Sequence, residues 1–289
     1  KRRGTWWKVE SLNSASGMFD EEWENKLREI RLYLKATNLP AWHPPKKIGF
    51  FRHIVVRKSF YTNQILINLV TSTDEEKQFN VSHFADYLQK LLPGRIAGLW
   101  HTENDNVADR AKIENGTSKL IFGQEVIEEV LSGLTFQISM ESFFQTNPKS
   151  AEKLYAKVIE YALENKEAID NTIVMDLFCG TGTIGQILAS RSTNAKIIGV
   201  DIVASAIKDA IQNAKRNNIS GLEFYTADVG KFLYEHPQYK NKIRTIILDP
   251  SRAGIAPKTL LKIIAINADR IVYVSCNPAT QARDTAEMM

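Results

Sequence analysis

The sequence is poor in cysteine. Only Cys179 and Cys276 occur in 289 residues, so neither a disulfide framework nor a four-cysteine metal site can be built, and each thiol has to be read singly. Long apolar runs are missing as well. Stretches such as Thr172 to Met175 and Ile271 to Val274 fall far short of the roughly 20 residues that a membrane-spanning helix needs. No charged-then-apolar leader precedes them, and a cytoplasmic location is the default expectation. No internal repeat or low-complexity tract stands out. Charge of one sign is barely in excess, the net being +4, a balance that suits nucleic acid without selecting it.

What is present is the balance of a globular protein, 44% hydrophobic and 24% charged, at a length that allows one large or two ordinary domains. The chain begins at Lys1 without a methionine and stops at Met289 soon after a motif, as a fragment would. Trp23, Leu27, Ile30 and Leu34 repeat at helical spacing until Pro40, Pro44 and Pro45 intervene. Strands are expected over His53 to Arg57, Gln64 to Val70 and Ile96 to His101, and a helix over Val81 to Leu92. Glu103 to Lys119 reads as a polar loop. Its Asn115-Gly116-Thr117 matches a glycosylation acceptor but needs no such explanation in a chain without a secretory leader. Arg52, His53, Arg57 and Lys58, near Lys46 and Lys47, could form an RNA-facing surface or be scattered solvated charge.

From Ser150 the pattern becomes one of helices alternating with short apolar strands, as in a doubly wound parallel sheet. The strands expected are Thr172 to Leu177, Lys196 to Asp201, Leu222 to Thr226, Arg244 to Leu248 and Arg270 to Ser275. Between the second and third, Ala204 to Arg216 is the clearest helix, with a stripe of Ile207, Ala210, Ile211 and Ala214.

Asp176 to Gly185 ends the first of these strands and opens a helix. Its glycines allow backbone to turn tightly and approach a nucleotide-like ligand. Gly180, Gly182 and Gly185 satisfy G-x-G-x-x-G and Asp201 stands where a ribose-binding acid is wanted, so a nicotinamide dehydrogenase is a rival reading. The acids argue against it. Asp176 has the wrong sign for a pyrophosphate and the right one for the ammonium of S-adenosylmethionine. Asp201 could then accept from the ribose hydroxyls and Asp228 from the adenine amino group. Taken singly, Asp201 and Asp228 could equally cap the helices that follow them.

Two further segments, Leu248-Asp249-Pro250-Ser251-Arg252-Ala253-Gly254 and Val274-Ser275-Cys276-Asn277-Pro278-Ala279-Thr280, close the fourth and fifth strands. A thiol at a strand tip has the access that reactivity requires, whereas Cys179, inside the glycine turn, reads as a small packing residue.

Asp-Leu-Phe-Cys-Gly-Thr-Gly at 176–182, Leu-Asp-Pro-Ser-Arg-Ala-Gly at 248–254 and Val-Ser-Cys-Asn-Pro-Ala-Thr at 274–280, in this order, resemble the RNA uracil-5-methyltransferase family. Ser142-Phe143-Phe144-Gln145-Thr146-Asn147-Pro148 adds to the likeness. The resemblance implies an α/β fold with a doubly wound, Rossmann-like methyltransferase sheet over 136–289, its final strands missing, behind a smaller mixed α/β domain over 1–135 with possible RNA contact. It implies that Gln145, Phe178, Thr183, Asp201, Asp228 and Asp249 bind S-adenosylmethionine, beside Asp176, Gly180 and Gly182 of the turn read above, although the family often has asparagine in place of Thr183. It implies Cys276 as nucleophile, with Asp249 orienting the uracil base or the cofactor. Arg252 could bind phosphate or pair with an acid, and Phe143 and Phe144 could wall the uridine or pack in the core.

The family's catalytic glutamate lies beyond the cysteine motif, in a segment this chain lacks, and neither an N-terminal RNA-binding barrel nor an iron-sulfur cysteine cluster is evident. The function expected is methylation of uridine carbon 5 in RNA, ribosomal RNA being favoured over transfer RNA, by a monomer without metal or membrane attachment. The alternatives are an exocyclic-nitrogen methyltransferase, for which Ser275 to Pro278 would have no role, and an inactive RNA-binding assembly protein.

Overall fold

Helix caps and buried β-branched runs sort the chain into two units in the computed structural model, which describes residues 14–73, 79–106, 116–163, 172–192 and 195–289. The first unit comprises the described residues up to Glu129 together with Ile138–Glu141. It contains α1 (Glu21–Ala36), β1 (Phe51–Lys58), β2 (Ile65–Thr71), α2 (Val81–Leu91), β3 (Ile96–Glu103) and β4 (Thr117–Gly123). Asp20 and Asn80 cap the two helices by accepting the Trp23 and His83 amides, which meets one of the orphan donors of each first turn.

The four strands lie in sequence order, β2 and β3 being parallel and the other neighbours antiparallel. One face of the sheet, carrying Ile65, Ile67, Leu69 and Leu99, packs with Trp23, Ile30, Phe84 and Leu88 of the helices. Leu27 of the expected helical stripe is instead exposed. The stretch read as a polar loop also differs: its ends belong to β3 and β4, while 107–115, Asn115 included, lie outside the described residues.

The division between units passes through a hairpin of β5 (Val126–Leu131) and β6 (Leu134–Ser139). Ser132 and Gly133, both at positive φ, make its two-residue turn.

The second unit holds residues 130–137 and 142–289. Its elements are α3 (Pro148–Ala162), β7 (Ile173–Leu177), α4 (Thr183–Ala189), β8 (Lys196–Asp201), α5 (Ala204–Arg216), β9 (Leu222–Thr226), α6 (Val229–Glu235), β10 (Ile243–Leu248), α7 (Pro257–Ile266), β11 (Arg270–Tyr273) and α8 (Pro278–Met288). The five strands pair in parallel in the order β11-β10-β7-β8-β9. Such an order reverses beside β7, and ligands bind at the carboxyl ends of strands flanking a reversal of this kind.

Met175, Leu177, Ile198, Val200, Ile246 and Leu248 bury one face of the sheet against Phe232, Leu260 and Ile263 of the helices after it. The buried side of α5 is rotated from the expected stripe. Asn213, buried, accepts the Gln137 amide at 2.9 Å, and Ile211 is left exposed. Among the described residues no helix is long and apolar enough to cross a membrane.

Candidate functional site

The turn after β7 is built from residues that accept left-handed backbone. Phe178, Gly180 and Gly182 have φ of 63°, 53° and 67°, and the Gly182 amide closes on the Cys179 carbonyl at 2.8 Å. Gly182 is required for a second reason. A Cβ there would lie 2.5 Å from the Phe224 ring, far inside van der Waals contact. Phe178 has its side chain against the core, so it would meet a ligand mainly through its backbone. The Thr183 hydroxyl lies 3.1 Å from that of Thr181, and Thr183 is buried. Cys179 packs beside Gly199, and burial raises its thiol well above the usual range, which matches an inert packing role.

Three carboxylates stand at or just after the carboxyl ends of β7, β8 and β9. Asp176 is 1% exposed; its Oδ2 accepts the Gly185 amide at 3.0 Å while Oδ1 is buried with no partner. Burial pushes its pKa up to about 7, with the Asp249 and Asp201 charges adding to the rise. Asp201 is committed by both oxygens, Oδ2 to the Gly180 amide at 2.9 Å and Oδ1 to the Val203 amide at 2.8 Å. It therefore staples the glycine turn to the end of β8, yet each oxygen keeps a lone pair for a further donor. Asp228 is exposed and caps α6 through the Lys231 amide at 2.8 Å, so the plain capping role is realised there.

The reacting side of the site comes from β10 and β11. Asp249, at the β10 tip, is half-buried, and burial pushes its pKa up to about 6. Gln145 hydrogen-bonds Tyr155, a buried α3 residue whose hydroxyl is held above its ordinary pKa by burial and by the Asp249 and Asp176 charges. Gln145 is thus grouped with Asp176 and Asp249. Tyr155 carries no sequence signal of such a place, because with Ala151, Val158 and Ile159 it reads as ordinary helix core.

Cys276 is exposed on the turn after β11. Ser275 Oγ accepts the Asn277 amide at 3.0 Å, and Asn277 then caps α8. Asn277 Nδ2 and Thr280 Oγ1 both donate to the Arg252 carbonyl, at 3.0 and 3.3 Å. The cysteine turn and the Asp249 to Gly254 segment are therefore one assembly. The two aromatics of the upstream motif separate: Phe144 packs with Phe136 in the core and Phe143 is 69% exposed.

In the first unit the basic segment is largely engaged internally. Arg52 lies over the Trp42 ring and donates to the Asn106 carbonyl, Arg57 donates to the Met140 carbonyl, and Lys58 pairs with Asp20 at 2.6 Å. Lys46 and Lys47 remain exposed.

A paired acid array, a glycine turn and an unpartnered buried acceptor suit a ligand that carries both a ribose and a cationic group. Among the described residues no cluster of His, Cys, Asp and Glu could hold a metal ion. Residues 169–289 match the family model described as a methyltransferase domain. A protein of Clostridium acetobutylicum described as an uncharacterized RNA methyltransferase is 40% identical over 92% of this chain and 56% of its own length. Another so described, from Caldanaerobacter subterraneus, is 34% identical over 98% of this chain and 60% of its own.

The chain thus spans between half and two thirds of the length of these relatives. The crystal structure of the Pyrococcus abyssi tRNA (uracil-54, C5)-methyltransferase with S-adenosyl-L-homocysteine superposes with a TM-score of 0.72 at 28% identity, over 99% of this chain and 65% of that one. An S-adenosylmethionine-dependent methyltransferase of Agrobacterium tumefaciens shares the fold at a TM-score of 0.51 and 15% identity, over 87% and 83% of the two chains. The chain carries a mixed α/β structure with the Rossmann-like fold of the methyltransferases.

Proposed function

We propose that this chain is the cofactor-binding and reacting part of an S-adenosylmethionine-dependent RNA methyltransferase that modifies carbon 5 of uridine. The observation that carries the reading is the tie between the Cys276 turn and the Asp249 segment through the Arg252 carbonyl, at the same sheet end as the glycine turn and Asp201. The relatives described as RNA methyltransferases and the uracil-methylating solved structure support it.

The residues present fit S-adenosylmethionine. The unpartnered Asp176 Oδ1 and the Asp249 carboxyl offer acceptors to its cationic end, Asp201 and Asp228 to ribose and adenine, and the turn from Phe178 to Thr183 offers close backbone approach. When bound, the cofactor supplies an electrophilic methyl group and departs as S-adenosylhomocysteine.

Carbon 5 of uracil is too weak a nucleophile to take that methyl unaided. Cys276 Sγ adds to carbon 6, and the electron pair of the C5–C6 double bond moves to make carbon 5 nucleophilic. After carbon 5 gains the methyl, a base removes its proton, the double bond re-forms, and Sγ leaves carbon 6. No described residue is assigned as that base. Because stacking masks carbon 6, the target uridine must be unpaired or flipped.

The full-length protein, given S-adenosylmethionine and RNA carrying 5-fluorouridine, should form a covalent adduct, since fluorine cannot leave as a proton does. Cys276→Ala should abolish the adduct and turnover, and Cys179→Ala should spare both. Offering ribosomal and transfer RNA in parallel identifies the substrate. Full methylation by the Cys276→Ala variant, or a product methylated on an exocyclic nitrogen, would overturn the reading in favour of the nitrogen-methylating class.

A further inference from the structure

Along α8, whose other residues are half-buried or exposed, Asp284 is 1% exposed. A carboxylate is not placed there without compensation, and every bond that compensates it leads to the reacting side of the site. Its Oδ2 accepts the Ile255 amide at 2.8 Å and the Tyr273 hydroxyl at 2.7 Å. Its Oδ1 accepts Arg283 Nε at 2.8 Å and Nη2 at 2.6 Å. Arg283 Nη2 also donates onward, to the Ala253 carbonyl at 3.2 Å and the Ile255 carbonyl at 3.4 Å.

Gly254 lies between these contacts at φ +74°. A Cβ on it would stand 2.7 Å from Asp284 Oδ2 and 2.6 Å from Arg283 Nη2, so the segment approaches this closely only because residue 254 has no side chain. Tyr273 is the last residue of β11, and its carbonyl accepts Gln281 Nε2 at 3.0 Å. Burial works to raise the Asp284 pKa, but the bonds from Ile255, Tyr273 and Arg283 outweigh it and hold the group below the usual carboxylate range.

We propose that Asp284 is the positioning residue that sets the Cys276 turn against the Asp249 to Gly254 segment. The inference rests on the reading of Cys276 as the nucleophile. One carboxylate joins the chain just after Gly254, the end of the strand that leads into Cys276, and the helix that leaves it. Its bonds reach neither the glycine turn nor Asp201 or Asp228. Its loss should therefore disturb the alignment of thiol and uracil far more than the affinity of the cofactor side, to which the loosened segment contributes only Asp249.

The test compares Asp284→Ala, Asp284→Asn and Tyr273→Phe with wild type in the full-length protein. S-adenosylhomocysteine affinity, which draws only on Asp249 from the loosened segment, should fall by no more than about threefold, less than the loss of one full hydrogen bond to a charged group. The kcat for uridine methylation and the rate of adduct formation on 5-fluorouridine RNA should fall at least about tenfold in Asp284→Ala, the scale on which misplaced reacting groups lose rate. Asp284→Asn, which keeps the shape and part of the hydrogen bonding, should recover part of that loss.

Amide exchange should rise together in 249–255 and 274–280 while β7 and β8 keep their protection. An unchanged kcat in Asp284→Ala, an exchange response confined to α8, or a cofactor affinity that falls in step with kcat would each overturn the proposal. If wild type yields neither methyluridine nor adduct, the functional reading fails. The joint exchange response of the two segments then still decides whether Asp284 positions them.

Discussion

Consider Asp176→Asn, followed by urea unfolding at two pH values without ligand. The carboxyl is buried, its Oδ2 receives one bond from the Gly185 amide, its Oδ1 has none, and burial lifts its pKa from 3.8 to about 7. Because the folded pKa is the higher one, the folded state holds the extra proton between those values. Stability is therefore lost as pH rises through the window, and the loss is complete above the folded value.

At about 1.4 kcal/mol for each unit of the rise, the ionised group costs the folded state about 4 kcal/mol at pH ~8 and about 1–2 kcal/mol at pH ~5. Relaxation and water penetration make both figures ceilings. Asparagine has no proton to lose, but its amide nitrogen replaces an unpartnered oxygen at a cost of about 1–3 kcal/mol that does not vary with pH. The variant should be near wild type or slightly less stable at the lower pH and more stable by roughly 1–3 kcal/mol at the higher one. The readout is the change in the difference between the two proteins, taken from melts extrapolated linearly to zero urea. A difference that stays constant between the two pH values would mean that Asp176 titrates as an ordinary carboxyl and would refute the burial argument.

Gly182→Ala places a side chain at φ +67° and 2.5 Å from the Phe224 ring, which should cost about 2–4 kcal/mol in strain and overpacking. Thermal unfolding reads the loss, adding Phe224→Leu should recover the overpacking part, and a fully stable Gly182→Ala would show the turn to be adaptable. In the first unit Asp20 caps α1 and pairs with Arg95 at 2.9 Å and Lys58 at 2.6 Å; burial raises its pKa, but these partners outweigh it and hold it at about 2. Asp20→Ala should cost about 2–4 kcal/mol at neutral pH. Since the folded pKa is the depressed one, the gap from wild type should shrink as pH falls from about 4 to about 2, and a gap that persists in full acid would exclude the ion pairs as its source.

The parts of the fold that were legible in the amino-acid order are those where local chemistry and packing agree. β8, β9 and α5 have the bounds expected of them, because turn residues bound them and most of their apolar residues, though not Ile211, are at least half-buried. β4 gives no strand signal at its start because it is an edge strand whose first residues, Thr117, Ser118 and Lys119, face solvent and read as loop. The β5–β6 hairpin was findable from Ser132-Gly133 between two apolar alternations.

Around the site, the glycine turn and the acids at strand ends could be anticipated, since each depends on residue type at a fixed offset from a strand. What could not be anticipated was how they are shared. That Asp201 gives both oxygens to backbone amides, that Tyr155 sits with Gln145 near Asp249, and that Asp284 bonds across 29 residues to Ile255 are products of tertiary approach. Adjacent charges such as Arg283-Asp284 look in sequence like any solvated helix face.

The strand order also bears on how the second unit is made. β7, β8 and β9 pair as neighbours in sequence, joined by short helical crossovers, whereas β10 pairs with β7 across a gap of 71 residues (246 minus 175) through Ile246 and Met175. Closing that gap costs chain entropy that local pairing does not incur. A nascent chain emerging from the ribosome can assemble the strands that carry Asp176 and Asp201 before the segments bearing Asp249 and Cys276 have been synthesised. Docking of β10 on β7 is then expected to come late, and until it occurs the edge of β7 is open to other strands. Chaperone dependence and aggregation during expression are therefore expected to track substitutions in β10 more closely than equally destabilising ones in β8.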